Sequence, residues 1–155
     1  NRWAISTPQD RQMANPDVAA RAPGYAMASA IVDGFDPIAV YEAVRDARDR
    51  AASGGGPAVI EAKCYRFLSH TTDDDDRTYR TREEVDAQRR LDPLPRFEAL
   101  LLASGTLDDA ALVAFRADIT ATVNATTDAV EAEPLPVPSD LYGNVYGGSD
   151  SPWID

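Results

Sequence analysis

The stretch from Ala28 to Phe67 constrains the fold more than any other. "ASAIVDG" is a short apolar segment closed by Gly34, and "AVIEAKCYRF" is a second, partly β-branched one. Between them Asp36 is placed to cap a helix with Pro37 at its first position. Ile38, Tyr41, Val44, Ala47 and Ala51 then recur at helical spacing, and the helix is expected to run to about Ser53, where "SGGGP" stops it. Strand, helix and strand in this order predict a βαβ unit, two parallel strands joined by a right-handed crossover. The fold class that follows is α/β, a parallel sheet flanked by helices.

The flanks are more broken. "NRWAISTP" has no initiator methionine, and Trp3, Ala4 and Ile5 read as the end of a buried strand entering a turn at Pro8, which suggests a piece of a longer chain. Pro16, Pro23 and Gly24 predict loop, with at most a short helix around Asp17 to Arg21. "TREE", Thr81 to Glu84, predicts a capping box and a helix reaching about Arg90. "DPLP" is expected to break it, and Arg96 to Ala103 reads as a further helix with Phe97, Leu100 and Leu101 on its apolar face, closed by Gly105. Thr106, with Asp109 three residues on, is expected to open a longer helix through about Glu133, with Leu112, Phe115, Ile119 and Val123 in one stripe. Two regions result: residues 1–133, and an extended tail over 134–155, rich in Pro, Gly and aromatics. Tyr142, Tyr146 and Trp153 in that tail need a surface to lie on, either this chain's own domain or a partner, and a partner contact is the expectation. There is no internal repeat.

Composition excludes some functions. Fifteen basic residues against 26 acidic give a net charge of -11, with Lys63 the only lysine, which argues against a nucleic-acid binder that must displace counterions. The apolar runs are too short for a membrane span, and no charged-then-apolar leader stands at the start. A single cysteine, Cys64, excludes an intrachain disulfide framework and fits a reducing cytoplasm.

Taken singly, the polar motifs carry little chemistry. His70 alone cannot build a zinc site. The run Asp73 to Asp76 lacks the alternating oxygens and glycine of an EF-hand loop, and its plain reading is a solvated turn. Cys64, with no second histidine to activate it, reads as a buried small hydrophobe. "SGGGP" follows a helix and lacks a lysine, so it is no phosphate loop.

Taken in order, the blocks "NRWAISTP", "APGYAM", "VDGFDPIAVYEA", "GPAVIEAKCYR", "SHTTDDDDRTYR" and "DPLPR" resemble one family. The chain is similar to the C-terminal half of the α subunit of the thiamine-diphosphate-dependent, decarboxylating component of 2-oxoacid dehydrogenase complexes. The similarity is dense from Asn1 to about Arg96 and looser through the later helices to "SDLY". The family's Gly-Asp-Gly stretch, which supplies an acidic metal ligand, is not in this sequence. The resemblance implies a thiamine-diphosphate-binding fold with a helical C-terminal region.

It also implies roles at matching positions. Asn1 matches the asparagine whose side-chain oxygen binds Mg2+. Trp3, where the family more often has tyrosine, matches the residue whose main-chain carbonyl also coordinates the metal, and Arg2 replaces a frequent glycine. Asn1, Trp3, Ile5 and His70 are the cofactor-binding positions implied. His70 matches a catalytic histidine beside the cofactor that assists acyl transfer to lipoamide, a task suited to a group that exchanges protons near neutral pH. Arg66, Asp74, Tyr79 and Arg80 match positions that order this loop. Thr71 stands where some mitochondrial relatives carry a regulatory phosphoserine; with nothing besides position in support, no such regulation is expected.

The activity implied is decarboxylation of a branched-chain 2-oxoacid with transfer of the acyl group to a lipoyl domain of the acyltransferase component. The "HTTDDDD" loop is more like the branched-chain enzymes and bacterial relatives than the mitochondrial pyruvate type; a pyruvate dehydrogenase α subunit is the alternative. A non-catalytic assembly domain retaining the fold is the alternative of another class. The partners implied are a β subunit in an α2β2 heterotetramer and the lipoyl domain, and this segment alone is expected to be inactive.

Overall fold

The computed structural model describes residues 1–141, and chain contacts divide the molecule into two units, residues 1–107 and 108–155. The first opens with strand β1 (Trp3–Ala4) paired antiparallel to β2 (Thr7–Pro8) around Ile5 and Ser6. Ile5 adopts φ 53°, a left-handed conformation that ends the strand, and its side chain is exposed. The expected end of a buried strand is therefore a short, largely exposed hairpin. Helix α1 (Gln9–Gln12) follows, then a 3-10 segment over Val18–Tyr25 that outruns the expected turn of helix at Asp17 to Arg21.

The βαβ unit forms as the sequence predicts. Strand β3 (Ala28–Asp33) leads to helix α2 (Pro37–Ala52) and then to β4 (Ala58–Lys63). The strands are parallel and in register from Ala28 opposite Ala58 to Asp33 opposite Lys63. Asp36 caps α2 by accepting the Ile38 and Ala39 N–H groups at 3.0 and 3.1 Å. Gly34 is required at the exit of β3: its N–H donates to the Lys63 carbonyl at 2.8 Å, and a Cβ there would stand 2.8 Å from that same oxygen.

Side-chain alternation separates two faces of this pair. Glu61 and Lys63 reach toward the 3-10 segment through Ala19 and Asp17. Ala58 and Ile60, with Ala28, Ala30 and Val32, line a cavity of about 490 Å³ against α2.

β4 ends four residues before the expected Phe67. The carbonyls of Arg66 and Phe67 are taken by the Arg80 guanidinium instead of a neighbouring strand, so the chain leaves the sheet and becomes a loop. That loop meets helix α3 (Arg82–Arg89), whose start is capped by the Thr81 hydroxyl accepting the Glu84 N–H at 3.1 Å. The Glu84 carboxylate accepts the Tyr65 hydroxyl at 2.6 Å, so it anchors the loop to α3. Helix α4 (Pro93–Ala103) begins earlier than Arg96: Asp92 caps it and Pro93 takes the first helical position, where a missing N–H costs nothing.

The second unit contains α5 (Asp109–Glu131), capped by Asp108 accepting the Ala111 N–H at 2.7 Å. Thr106, expected to open this helix, hydrogen-bonds the Ser104 hydroxyl. Phe115, Ile119 and Val123 on α5 are exposed. A 3-10 turn over Pro138–Leu141 closes the described residues; Tyr142, Tyr146 and Trp153 lie outside them. No helix among the described residues is long and apolar enough to cross a membrane.

The buried residues of the first unit fall in two places: Ala19 and Ala22 lie in the 3-10 segment, and Tyr65, Asp76, Arg80 and Val85 in the acidic loop or the helix after it. The loop that reads as a solvated turn is anchored from beneath. Cys64, expected buried, is half-buried just past the end of β4.

Candidate functional site

Two loops build the site. In the first, the Asn1 carboxamide oxygen accepts the Trp3 N–H at 3.0 Å, folding the side chain back over the main chain of the residue two positions on. The turn depends on Arg2 at φ 65°, a conformation that glycine adopts without strain, and the Arg2 carbonyl accepts the Gln9 N–H at 3.0 Å. The Trp3 ring lies 5.1 Å from that of Tyr79, centre to centre, so the first loop packs directly on the second.

In the second loop one guanidinium reaches both. Arg66 Nη2 donates to the Ile5 carbonyl at 2.6 Å and to the Tyr79 hydroxyl at 3.3 Å, while Nε donates to the Leu68 carbonyl at 3.1 Å. Its Nη1 stands 3.5 Å from His70 Nδ1. Asp74 completes the frame: one carboxylate oxygen accepts both the His70 main-chain N–H, at 2.8 Å, and the Tyr79 hydroxyl. The imidazole is exposed while its backbone is held. An exposed ring on a fixed backbone can meet a ligand or a docking partner without reorganising the chain.

A buried ion pair supports this frame from below. Arg80, whose side chain is 0% exposed, donates to Asp76 Oδ2 through Nε at 3.0 Å and Nη2 at 2.7 Å. It also donates to the Arg66 and Phe67 carbonyls, and the Trp3, Tyr65 and Tyr79 rings surround it at 6.0, 5.6 and 6.0 Å. Arg82 shares the other oxygen of Asp76 at 2.9 Å.

These contacts set the ionisation of the acidic run. The Tyr79 hydroxyl, followed by the His70 N–H, holds the Asp74 carboxyl below its ordinary range. The Arg77 fork brings Asp75 down to about 2, and Arg80 lowers Asp76. Three of the four consecutive aspartates thus each have a named partner.

A profile of the dehydrogenase E1 component family matches residues 1–139. The chain belongs to this family. Among relatives of this E1 chain, the 2-oxoisovalerate dehydrogenase subunit alpha of Bacillus subtilis (strain 168) is 42% identical over 146 residues, 94% of this chain and 44% of the relative. The human mitochondrial 2-oxoisovalerate dehydrogenase subunit alpha is 39% identical over 147 residues, 94% of this chain and 33% of the relative. The 3-methyl-2-oxobutanoate dehydrogenase subunit alpha of Mycobacterium tuberculosis (strain ATCC 25618 / H37Rv) is 48% identical over 105 residues, 68% of this chain and 29% of the relative. The E1 chain therefore spans less than half the length of these curated relatives.

Of the site positions named from the sequence, Trp3, Ile5, Arg66, His70, Asp74, Tyr79 and Arg80 form one connected set in this E1 chain, with Asn1 joined through Trp3. Sequence reasoning missed Asp76, the buried partner of Arg80, although their spacing of four residues was a usable signal. It also missed the Tyr65–Glu84 hydrogen bond and the cluster of Lys63 with Glu61 and Asp17. Glu61 and Lys63, two apart on a strand, share a face, but their partners come from a distant loop that no local pattern reveals.

Proposed function

We propose that this E1 chain is the C-terminal part of an α subunit that decarboxylates a branched-chain 2-oxoacid and passes the acyl group to lipoamide. The observation that carries this reading is the Arg66 bridge from the Ile5 carbonyl to Tyr79 and the edge of His70. It joins the two sequence blocks to which the resemblance assigns cofactor binding and acyl transfer. The names of the relatives favour 2-oxoisovalerate over pyruvate as substrate.

Thiamine diphosphate is the cofactor implied by the family, and Mg2+ is the cation that would accompany it. The Asn1–Trp3 turn suits a hard cation: the Asn1 carboxamide oxygen uses one lone pair on the Trp3 N–H and keeps another for a metal. Among the described residues no three or more His, Cys, Asp or Glu side chains cluster to hold a metal. Neutral carboxamide and carbonyl oxygens, from Asn1 and Trp3, are the donors this chain would offer. When bound, thiamine diphosphate would supply a nucleophilic carbon for the keto carbon of the 2-oxoacid and a sink for the electron pair left as CO2 departs.

The chain's own residues orient and exchange protons. His70, exposed and backbone-anchored, gives or takes a proton as the acyl group moves to the lipoyl sulfur. Arg66, Asp74, Tyr79 and Arg80 hold the loop in the shape that a lipoyl domain would dock upon. A β subunit in an α2β2 assembly completes the site, with the tail residues Tyr142, Tyr146 and Trp153 as its contacts, in the cytoplasm.

The test is decarboxylation by the full-length α subunit with its β partner, thiamine diphosphate and Mg2+, using an artificial electron acceptor. Turnover of 2-oxoisovalerate at a higher kcat/KM than pyruvate is expected. Preference for pyruvate would reassign the substrate, and no turnover of any 2-oxoacid would leave an assembly domain as the better reading.

A further inference from the structure

Lys63, the only lysine in the chain, ends β4 with all three ammonium protons directed at separate acceptors. Nζ donates to Glu61 Oε1 at 2.6 Å, to Asp17 Oδ1 at 2.9 Å and to the Pro16 carbonyl at 2.9 Å. The other oxygen of Glu61 accepts the Ala19 N–H at 2.8 Å. Two side chains on one face of β4 thus clasp residues 16–19, from a loop more than forty positions away in sequence. Lys63 is 28% and Glu61 12% exposed, so this is less open to solvent than the surface ion pairs of α2. Each partner favours the other's charged form: Glu61 and Asp17 raise the Lys63 ammonium, while the Ala19 N–H and Lys63 outweigh burial at Glu61 and lower its carboxyl.

The clasp continues toward the first loop of the site. The Pro16 carbonyl that accepts Lys63 also accepts the Gln9 side-chain amide at 2.5 Å. The Gln9 main-chain N–H in turn donates to the carbonyl of Arg2, the left-handed residue between Asn1 and Trp3. Three hydrogen bonds therefore join four residues from β4 to the turn: Lys63, Pro16, Gln9 and Arg2.

We propose that Lys63 is a positioning residue for the Asn1–Trp3 turn, fixing the Pro16 carbonyl so that Gln9 can hold Arg2 in its left-handed conformation. The role toward a cation rests on the reading of that turn as the Mg2+ site. An arginine would fill the place poorly, because a flat guanidinium cannot send three N–H bonds from one nitrogen to three acceptors.

The experiment uses the full-length subunit assembled with its β partner, and the variants Lys63→Met, Lys63→Arg and Gln9→Leu. Millisecond amide exchange is read over residues 1–9 and 15–20, with α2 as internal reference, and Mn2+ binding is followed by electron paramagnetic resonance. Lys63→Met should speed exchange in both peptides and leave α2 unchanged. It should also weaken Mn2+ binding by up to about tenfold, the low end of what losing a ligand's own hydrogen-bond partner costs, because Lys63 acts through Pro16, Gln9 and Arg2. Lys63→Arg should restore part of both. Gln9→Leu should loosen residues 1–9 while leaving Ala19 protected, and adding Lys63→Met to it should loosen residues 1–9 no further.

Unchanged exchange over residues 1–9 in Lys63→Met overturns the proposal, as does a double variant whose losses simply add. If exchange responds as expected but the unaltered assembly binds no Mn2+, the positioning role stands and the cation reading of the turn falls.

Discussion

Arg66 donates Nη2 to the carbonyl of Ile5 at 2.6 Å, across 61 positions of sequence. The acceptor belongs to a β-branched residue in a left-handed conformation, and the donor's other arms hold Leu68, Tyr79 and the edge of His70. One side chain therefore sets the distance between the turn proposed for the cofactor and the loop proposed for acyl transfer.

Replacing Arg66 with lysine should uncouple these loops although the charge is kept. An ammonium cannot reproduce the fork that reaches Ile5, Leu68 and Tyr79 at once. Misplacement of a reacting group by about 1 Å costs on the order of 100-fold, and a loss of that size in lipoamide acylation is expected, with thermal stability little altered. Steady-state kinetics of the assembled complex beside a melting curve would separate the two effects; near-normal acylation would deny Arg66 this role.

Arg80→Leu should act on stability first. It strands Asp76 with only the exposed Arg82 as partner and releases the Arg66 and Phe67 carbonyls. Breaking a buried pair from one side costs about 3 kcal/mol at the low end, readable as a lowered urea midpoint. Replacing Asp76 and Arg80 together with apolar residues should recover part of the loss, since no charge is then left unpaired.

Acid should open the loop. Asp74, Asp75 and Asp76 all have folded-state values below the unfolded aspartate value of about 3.9. Their contribution is thus fully present above that value and is lost as pH falls through each folded value, which for Asp75 is about 2. Trp3 packs on Tyr79 and reports the event. In the 155-residue chain carrying Trp153→Phe, where Trp3 is the one tryptophan left, fluorescence should stay constant from neutral pH to about 4 and change below it. A change centred near neutrality would point to another group.

His70→Ala should impair acylation of the lipoyl group while decarboxylation with an artificial acceptor continues. The imidazole is exposed and its backbone is held by Asp74, so removing the ring leaves the loop's frame in place. Asp74→Ala, by contrast, removes the acceptor of both the His70 N–H and the Tyr79 hydroxyl and should disturb the whole loop. Equal loss of both activities in His70→Ala would assign the residue a different task.

The βαβ unit was legible because its signals are local. Asp36 caps α2 with its own next residues, Gly54 stops it at φ 81°, and the strands carry their own apolar pattern. Helix starts were read less well where two caps compete. Pro93 reads as a breaker until Asp92 is seen to cap it, and Thr106 reads as a cap until Asp108 takes that place. The site residues came from the order of short blocks along the chain, which names positions without their contacts.

The order of elements, the capping of α2 and the acidity of the loop followed from neighbouring residues, since hydrogen bonds and torsions of that range are encoded within a few positions. The end of β4 at Lys63, the anchoring of Asp76 beneath Arg80 and the bridge from Arg66 to Ile5 were decided only in three dimensions. The physical reason is the same in each case. Donors and acceptors drawn away from water are nearly always paired, and the partners available to Arg66, Arg80 and Lys63 depend on which distant segments the packed chain brings within about 3 Å.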